Sequence, residues 1–271
     1  MIEHDFPAGA AAEEERREPK VSLRIIRRCN YACPYCSTSS SLTRPGKMRF
    51  ADFRTAVRIL ADCGFHGNLN ISGGEPSLHP RLPSMLEYAS AGLPRAGISV
   101  FTNGEWVGRS AWQARLSGLL AGPNVLVRFS LDREHAEGAL RAKRLPHQAS
   151  VADMERRRME KARLFLNACE ALGAVSGRNY DFAFKGGLES AKAYMRDLGD
   201  VPVYTIRFRR DPDRRPQEYG FLAIDVDEND HVFVYPTLGH IPSGEPLGGL
   251  ETLPAALEIN RNQTDFGETR G

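Results

Sequence analysis

Segments typical of β-strands and of α-helices alternate along most of this 271-residue chain. Six short runs rich in β-branched and aromatic residues are each predicted to form a strand. These runs cover 21–26, 68–72, 97–102, 125–130, 180–185 and 203–208. Strands that alternate with helices pair in parallel through right-handed crossovers. Six such units are fewer than the eight that close a TIM barrel, so the sequence predicts an α/β fold, a partial (βα)6 TIM-like barrel.

The segments between these strands have apolar residues at helical spacing. Helices are predicted at 51–64, about 81–91, about 109–121, 149–173 and about 188–198. The stretch between the fourth strand and residue 149 is predicted as a long polar segment. The helix 149–173 has an apolar stripe and a densely charged opposite face, and we expect the run Arg156 to Arg158 to be solvated.

Three regions differ in composition. Residues 1–19 are small, charged and aperiodic, so we expect a disordered leader there. Residues 20–215 are predicted to form the barrel. Residues 216–271 are predicted as a C-terminal appendage, because 221–236 contains two alternating runs separated by four polar residues, which is typical of a β-hairpin. This extension has no cysteine with which to bind an auxiliary cluster.

The net charge and the distribution of charged residues indicate which kinds of binding partner are not expected. The formal net charge is +2 with 26% charged residues, which does not indicate a uniformly basic nucleic-acid binder. Basic patches interleaved with exposed aromatic residues are not evident, so nucleic acid is not an expected partner. The chain begins without the apolar core of a secretory signal and has no run of membrane-spanning length. We therefore expect a cytoplasmic protein without a membrane partner.

Three of the five cysteines lie within eight residues, in the stretch CNYACPYC directly after the first strand. In a reducing compartment such a group more often binds metal or performs redox chemistry than forms disulfides. A structural zinc site normally has four protein ligands, so Cys29, Cys33 and Cys36 fit one poorly. A cubane iron–sulfur cluster held by three thiolates would keep one iron open for a substrate. A trio of buried cysteines, or a partial zinc site, is the alternative.

Polar and glycine-rich segments follow the next strands. Ligands collect at the carboxyl ends of parallel strands, so these segments are candidate binding sites. They are SGGEP at 72–76, TNG at 102–104 and SLD at 130–132. In the first, two glycines permit close backbone approach to a ligand, and Glu75 offers a carboxylate to an ammonium group.

The spacing C-x-x-x-C-x-x-C, followed one strand later by GGEP, resembles the signature of the radical S-adenosylmethionine (radical SAM) enzymes. The resemblance implies a [4Fe-4S] cluster held by Cys29, Cys33 and Cys36, whose open iron binds S-adenosylmethionine. It implies that Tyr35 lies beside the adenine and that Glu75 holds the amino group of the methionine moiety. The remaining candidates for cofactor binding are Ser72, Gly73, Gly74, Pro76, Asn103, Ser130 and Asp132.

Within that set the roles differ. The resemblance places Ser130 and Asp132 at the ribose hydroxyls, whereas a simple turn explains Asn103 equally well. His135 either faces the substrate or caps the following helix. Arg207 alternates with apolar neighbours in the predicted sixth strand and is a candidate for a carboxylate or phosphate of the substrate. The later strand motif of the family is not recognisable in 182–187.

The resemblance covers about residues 20–210. It implies an enzyme that cleaves S-adenosylmethionine reductively to a 5'-deoxyadenosyl radical, with an electron from flavodoxin or ferredoxin. We expect this radical to abstract hydrogen from a small polar metabolite, with epimerisation, dehydrogenation or rearrangement as outcomes, in a setting such as natural-product biosynthesis. A peptide-modifying radical SAM enzyme is the alternative. A non-catalytic iron–sulfur redox sensor is an alternative of another class.

Overall fold

The structure is a computed structural model. It describes residues 20–34, 36, 38–143, 149–185, 188–199, 203–206, 221–238, 241–242 and 245–264. The predicted leader and two candidate side chains, Tyr35 and Arg207, lie outside the described residues, as does the predicted boundary at residues 215–216.

Nine strands form one sheet in the order β6-β5-β4-β3-β2-β1-β7-β8-β9. They are β1 (Lys20–Arg24), β2 (Asn68–Ser72), β3 (Gly97–Thr102), β4 (Val125–Ser130), β5 (Tyr180–Lys185), β6 (Val203–Ile206), β7 (Phe221–Val226), β8 (Val232–Leu238) and β9 (Ile241–Pro242). All pairs from β6 to β7 are parallel, and β8 and β9 pair antiparallel. In the described part of the chain β6 and β9 remain the two edges. This open, mostly parallel sheet confirms the predicted partial barrel.

Seven helices are described. They are α1 (Phe50–Asp62), α2 (Leu82–Gly92), α3 (Trp112–Leu119), α4 (Arg133–Lys143), α5 (Val151–Ala171), α6 (Leu188–Leu198) and α7 (Leu253–Thr264). Short-range signals set several of their ends. α1 is followed by Gly64 at a φ of 66°, and α5 begins with a capping box between Ser150 and Asp153. None of the described helices is long and apolar enough to cross a membrane.

The alternation within the strands gives the sheet two different faces. Leu23, Ile71 and Val100 lie in register on the face that forms the main hydrophobic core, and all three are buried. Burying each such side chain stabilises the fold by roughly 1.5–3 kcal/mol. Ser22 pairs in register with Asn70, and Asn70 with Ser99, on the opposite face. We call this opposite side of the sheet the polar face.

The stretch after the fourth strand, predicted as a long polar segment, is polar and largely helical, because α4 occupies most of it. Ala136 and Ala139 of this helix are fully buried, in a small second core with Tyr31 and Met154. Alanine contributes little to a hydrophobic pattern although it has the highest helix propensity. The helix is therefore weakly marked in the sequence.

The predicted C-terminal hairpin is present as β7 and β8. Its turn is held by Asp227, whose Oδ1 accepts the backbone N–H groups of Asn229 and His231 at 2.8 Å each. β7 also pairs in parallel with β1, with Val21 opposite Leu222. The hairpin thus extends the barrel sheet at its β1 edge and is continuous with it.

Candidate active site

A cavity lies at the carboxyl ends of β1 to β4. It contains about 1100 Å³ of empty space, which includes open solvent at its mouth. The predicted site residues among its lining are Cys29, Cys33, Cys36, Ser72, Gly73, Gly74, Glu75, Pro76, Asn103, Ser130 and His135. The fold therefore gathers residues from four separate strand ends around one space.

The three cysteines of the loop after β1 form no disulfide bond. Cys29 Sγ accepts the backbone N–H of Tyr31 at 3.4 Å, and Cys36 Sγ accepts that of Ser40 at 3.3 Å. Hydrogen bonds from N–H groups stabilise a thiolate relative to a thiol. Cys29 and Cys36 thus each accept a backbone N–H, although burial and the nearby Glu75 carboxylate raise the pKa of Cys29.

The donor set suits a cluster better than one ion. Among the described residues, no three His, Cys, Asp or Glu side chains converge on a point that could hold a single metal ion. In a cubane each thiolate binds a different iron. The three cysteine side chains line one cavity without meeting at one point. This arrangement fits a cubane cluster.

Helix α4 packs directly against the cysteine loop. The backbone N–H of Ala32 donates to the carbonyl oxygen of Gly138 at 3.0 Å. A Cβ atom at position 138 would lie 2.5 Å from Cys33 Sγ and 2.8 Å from the Cys33 backbone. Only glycine permits this approach. Nothing in the sequence pattern singled out Gly138, because its importance depends on which element faces it.

The two glycines after β2 allow their backbone to lie close to the backbone that leads into the cysteine loop. A Cβ atom at Gly73 would overlap the carbonyl oxygen of Ile26, and one at Gly74 would overlap that of Arg28. The N–H of Gly74 donates to Ile26 O at 2.6 Å, and that of Glu75 donates to Arg28 O at 2.9 Å. The partner in this approach is the backbone that leads into the cysteine loop. The segment 73–75 and the cysteine loop are thus joined by main-chain hydrogen bonds.

Glu75 is almost completely buried, with 1% of its surface exposed. Its carboxylate accepts the hydroxyl of Thr102 at 2.6 Å, the backbone N–H of Asn103 at 2.7 Å and that of Ser77 at 3.1 Å. These donors fix the carboxylate at the cavity wall. A buried carboxylate held in this way can bind a cationic group that enters the cavity.

Asn103 connects the end of β3 to the cysteine loop. Its Nδ2 donates to Asn30 Oδ1 at 2.7 Å and lies 3.9 Å from Cys29 Sγ. Its Oδ1 accepts the backbone N–H of Glu105 at 3.0 Å. The side chain is buried, so it does more than form the turn that also explains the TNG sequence.

Arg158 contradicts the expectation of a solvated charge run, because it is only 1% exposed. Its Nη1 donates to Tyr31 Oη at 2.8 Å and to Asn103 O at 3.0 Å, and its Nη2 donates to Ser130 O. Tyr31 in turn donates to Glu105 Oε2 at 2.8 Å. One guanidinium thus joins the cysteine loop to the ends of β3 and β4.

A signal for this burial is present in the sequence. Arg158 lies four residues after Met154 and four before Ala162, so it belongs to the apolar stripe of α5. Met154 and Ala162 are both buried. A charged residue on a buried stripe is expected to have dedicated partners.

Asp132 is not among the residues that line the cavity. Its Oδ1 accepts the backbone N–H of His135 at 2.8 Å and the ring Nδ1 of His135 at 2.7 Å, at the start of α4. Burial opposes ionisation, but the charge and hydrogen bonds of His135 lower the pKa of Asp132 to about 2. The structure therefore shows this carboxylate in the position of a helix cap, bonded to His135, which itself lines the cavity.

The polar face carries two ion pairs. Arg24 Nη1 lies 3.2 Å from Asp225 Oδ2, and Arg128 Nε lies 2.9 Å from Asp181 Oδ2. Burial raises the pKa of Asp181 to about 6, although Arg128 acts in the opposite direction. Each of these two arginines of the polar face is thus paired with an aspartate on a neighbouring strand.

Further lining residues were not predicted. They are Ser22, Arg24, Tyr31, Thr38, Asn70, Phe101 and Glu134, whereas Thr102, which also lines the cavity, belongs to the predicted segment TNG. Ser22, Arg24 and Asn70 are the polar members of alternating strands, and strand alternation alone could have identified them. The other two cysteines, Cys63 and Cys169, do not line this cavity, and burial raises the pKa of Cys169 to about 12.

Solved structures contain the same kind of open α/β barrel. anSMEcpe with bound AdoMet superposes with a TM-score of 0.57, over 92% of this chain and 82% of that chain, at 14% identity. BtrN in complex with AdoMet and 2-DOIA superposes with a TM-score of 0.52, over 92% of this chain and 85% of that chain, at 16% identity. At these identities the similarity establishes the fold.

The family model of the Radical SAM superfamily matches residues 23–172, more than half of the chain. This protein belongs to the radical SAM superfamily. Enzymes of this superfamily bind a [4Fe-4S] cluster and S-adenosylmethionine.

Curated relatives of the chain have names that concern nucleotides. A GTP 3',8-cyclase from Synechococcus sp. (strain WH7803) is 29% identical over 209 residues, 73% of this chain and 55% of that protein. An S-adenosylmethionine-dependent nucleotide dehydratase from Thermoplasmatales archaeon (strain ISO4-H5) is 30% identical over 151 residues, 55% of this chain and 52% of that protein. The chain spans about half the length of these curated relatives.

Proposed function

We propose that Cys29, Cys33 and Cys36 hold the [4Fe-4S] cluster and that S-adenosylmethionine occupies the adjoining cavity. The observation that carries this assignment is that three cysteine side chains and the buried carboxylate of Glu75 line one cavity. When bound, the two cofactors supply a 5'-deoxyadenosyl radical that abstracts a hydrogen atom from the substrate. The protein binds, orients and shields the reacting groups.

The side chains of the cavity have separate tasks in this proposal. Glu75, fixed by three donors, binds the ammonium group of the methionine moiety. Ser130, at the end of β4, binds a ribose hydroxyl. Asn103 supports Cys29 through its amide. Tyr35, beside the adenine by family resemblance, lies outside the described residues and stays a prediction.

The substrate that fits is a small polar molecule. The polar face presents Ser22, Asn70 and Arg24 to the cavity, and Arg24 is paired with Asp225. Such a surface offers hydrogen bonds and little net charge, which suits hydroxylated or zwitterionic groups. Epimerisation, dehydrogenation and rearrangement all begin with the same hydrogen abstraction.

A nucleotide is a second candidate, supported by the names of the curated relatives. A triphosphate needs several cations, and two described arginines of the polar face each lie beside an aspartate. The predicted phosphate or carboxylate contact, Arg207, lies outside the described residues. The peptide alternative stays a prediction.

The assignment of the cluster ligands is tested by anaerobic reconstitution with iron and sulfide. Variants in which Cys29, Cys33 or Cys36 is replaced by Ala should lose the cluster absorbance and the formation of 5'-deoxyadenosine. The matched variants Cys63→Ala and Cys169→Ala should retain both. Tight binding of zinc in place of the cluster, or retention of the cluster by a Cys33→Ala variant, would overturn the assignment.

The substrate class is tested with the reconstituted wild-type enzyme. Candidate metabolites, beginning with nucleoside triphosphates and with hydroxylated amines, are added in deuterated form. The true class should accelerate formation of 5'-deoxyadenosine and transfer deuterium into it. If only peptides do so, the small-molecule proposal is wrong.

A further inference from the structure

One histidine lines the cavity at the carboxyl ends of β1 to β4. Of the histidines that the structure describes, His66, His79 and His231 lie elsewhere, and only His135 belongs to this lining. Its side chain is 26% exposed, which leaves the imidazole ring accessible from the cavity. The proposed function so far gives this ring no task.

The ring of His135 is held at one of its nitrogens by Asp132. The Oδ1 atom of Asp132 accepts both the backbone N–H of His135 at 2.8 Å and the ring Nδ1 at 2.7 Å. This carboxylate is 5% exposed, and its pKa of about 2 keeps it ionised at neutral pH. Because an ionised carboxylate only accepts hydrogen bonds, Nδ1 of His135 carries a proton in this contact.

The other ring nitrogen, Nε2, remains for a group inside the cavity. Within the described part of the chain the structure gives no hydrogen bond to this atom, and it is not one of the buried atoms that lack a partner. In the neutral ring, Nε2 has a lone pair and can accept a proton. The Asp132 carboxylate then stabilises the imidazolium ion that forms, as the carboxylate behind a catalytic histidine does.

A helix cap by itself does not require this imidazole, because the cap uses only the backbone N–H of residue 135. The turn between β7 and β8 contains a similar pair. There Asp227 accepts the backbone N–H of His231 at 2.8 Å, and its Oδ2 lies 3.3 Å from the ring Nδ1. The His231 ring is 69% exposed and does not line the cavity. The protein thus contains one aspartate–histidine pair at the cavity and one away from it, and the second serves as a control.

We propose that His135 is a general base for the substrate, that Asp132 positions it, and that the substrate has a hydroxyl group on the carbon that loses hydrogen. This inference rests on the proposed function, because it requires a substrate radical in this cavity. Loss of the hydrogen atom makes the hydroxyl proton more acidic, since the resulting oxyanion shares its charge with the radical carbon. In the proposed step the O–H bond breaks and a bond forms between that hydrogen and Nε2 of His135. The electron pair stays on the oxygen, so no electron enters or leaves the protein in this step.

The position of the ring proton is tested in cluster-free full-length protein. Nitrogen-15 NMR of labelled histidines distinguishes a ring protonated at Nδ1 from one protonated at Nε2, and the spectrum of a His135→Asn variant identifies the His135 signals. We expect the neutral His135 ring to carry its proton at Nδ1, and to lose this preference in Asp132→Ser. A wild-type ring protonated at Nε2, or an unchanged ring in Asp132→Ser, would refute the positioning role of Asp132.

The role in the reaction is tested with loaded protein, reduced with dithionite, and with nucleoside triphosphates and hydroxylated amines deuterated at their hydroxyl-bearing carbons. The variant His135→Asn retains a donor for Asp132 and lacks Nε2. It should still transfer deuterium into 5'-deoxyadenosine, whereas the yield of product per 5'-deoxyadenosine should fall about 100-fold, at the lower end for general base catalysis. Added imidazole should restore part of this yield in His135→Ala. The control His231→Asn should match the wild type.

Four results would overturn the role of His135. They are an unchanged product yield in His135→Asn, weaker binding of S-adenosylmethionine as its only defect, a loss of yield in Glu134→Gln alone, and deuterium transfer from none of the hydroxylated probes. The second would place His135 at the cofactor, and the third would make the neighbouring carboxylate the base. Failure of wild-type protein to cleave S-adenosylmethionine with dithionite would instead refute the proposed function.

Discussion

The guanidinium of Arg158 donates a hydrogen bond of 2.8 Å to the phenolic oxygen of Tyr31, and both side chains are only 1% exposed. Tyr31 lies two residues after Cys29, whereas Arg158 lies on α5, 127 residues further along the chain. The Arg158 guanidinium carbon also lies 5.2 Å from the centre of the Tyr31 ring. This pair fixes the cysteine loop to a helix on the far side of the site.

We expect Arg158→Met to lower the free energy of unfolding by about 3 kcal/mol, because it removes a buried charge on which Tyr31 and two carbonyl groups depend. Arg157 is the exposed neighbour of Arg158, so Arg157→Met is the matched control. This variant should change the free energy of unfolding by less than about 0.5 kcal/mol. Urea unfolding under anaerobic conditions measures both. Iron content after reconstitution should fall in the first variant only, and equal losses in both would show that Arg158 has no special role.

Glu75→Gln preserves the shape of the side chain and removes its charge. If Glu75 binds the ammonium group of S-adenosylmethionine, the dissociation constant should rise about 10- to 100-fold, because a hydrogen bond to a charged group contributes roughly 1.5–3 kcal/mol. Equilibrium binding to reconstituted protein measures this effect. Iron content should stay at the wild-type level. Unchanged affinity would remove Glu75 from the proposed cofactor site.

Gly74→Ala should prevent the close approach of the segment 73–75 to Arg28, since the added Cβ overlaps the Arg28 carbonyl oxygen. We expect a loss of about 1–3 kcal/mol in stability and poor retention of the cluster. Gly118→Ala, on α3, is the control, because its Cβ would make an ordinary contact of 3.6 Å with Pro83. It should stabilise the protein by up to about 1 kcal/mol. Thermal unfolding distinguishes the two outcomes.

The lowered pKa of Asp132 predicts that the free energy of unfolding decreases at low pH. Its pKa is lowered from 3.8 to about 2 in the folded protein, so its contribution is fully present above pH 4 and is lost as the pH falls through about 2. In the His135→Ala variant the pKa of Asp132 should return towards 3.8. The contribution of Asp132 to the free energy of unfolding, about 2 kcal/mol above pH 4, should then diminish. Urea unfolding of cluster-free protein from pH 3 to pH 7 measures the difference. A constant difference between variant and wild type across that range would contradict the pairing.

The role of Asp132 as a cap can be separated from a role at the ribose. Asp132→Ser retains an oxygen that can accept the N–H of His135, whereas Asp132→Ala does not. We expect the alanine variant to be about 1 kcal/mol less stable than the serine variant. If both variants bind S-adenosylmethionine as the wild type does, the predicted ribose contact is wrong.

The sequence by itself determined the order of strands and helices, because the alternation within strands and the helical spacing are local properties. It also placed the cysteine loop and the segment SGGEP after neighbouring strands, and parallel pairing then brought both to the same edge. Helix α4 escaped prediction because its buried face consists largely of alanine, which carries little hydrophobic signal.

Only the tertiary structure decided which distant groups meet. The burial of Arg158 and the fit of Gly138 against Cys33 both depend on contacts between elements far apart in sequence. The pairing of β7 with β1, which turns the C-terminal hairpin into part of the barrel sheet, has the same origin. The local spacing of apolar residues determines whether a segment forms a helix or a strand. The free energy of packing, summed over all contacts, determines which helices and strands lie next to one another.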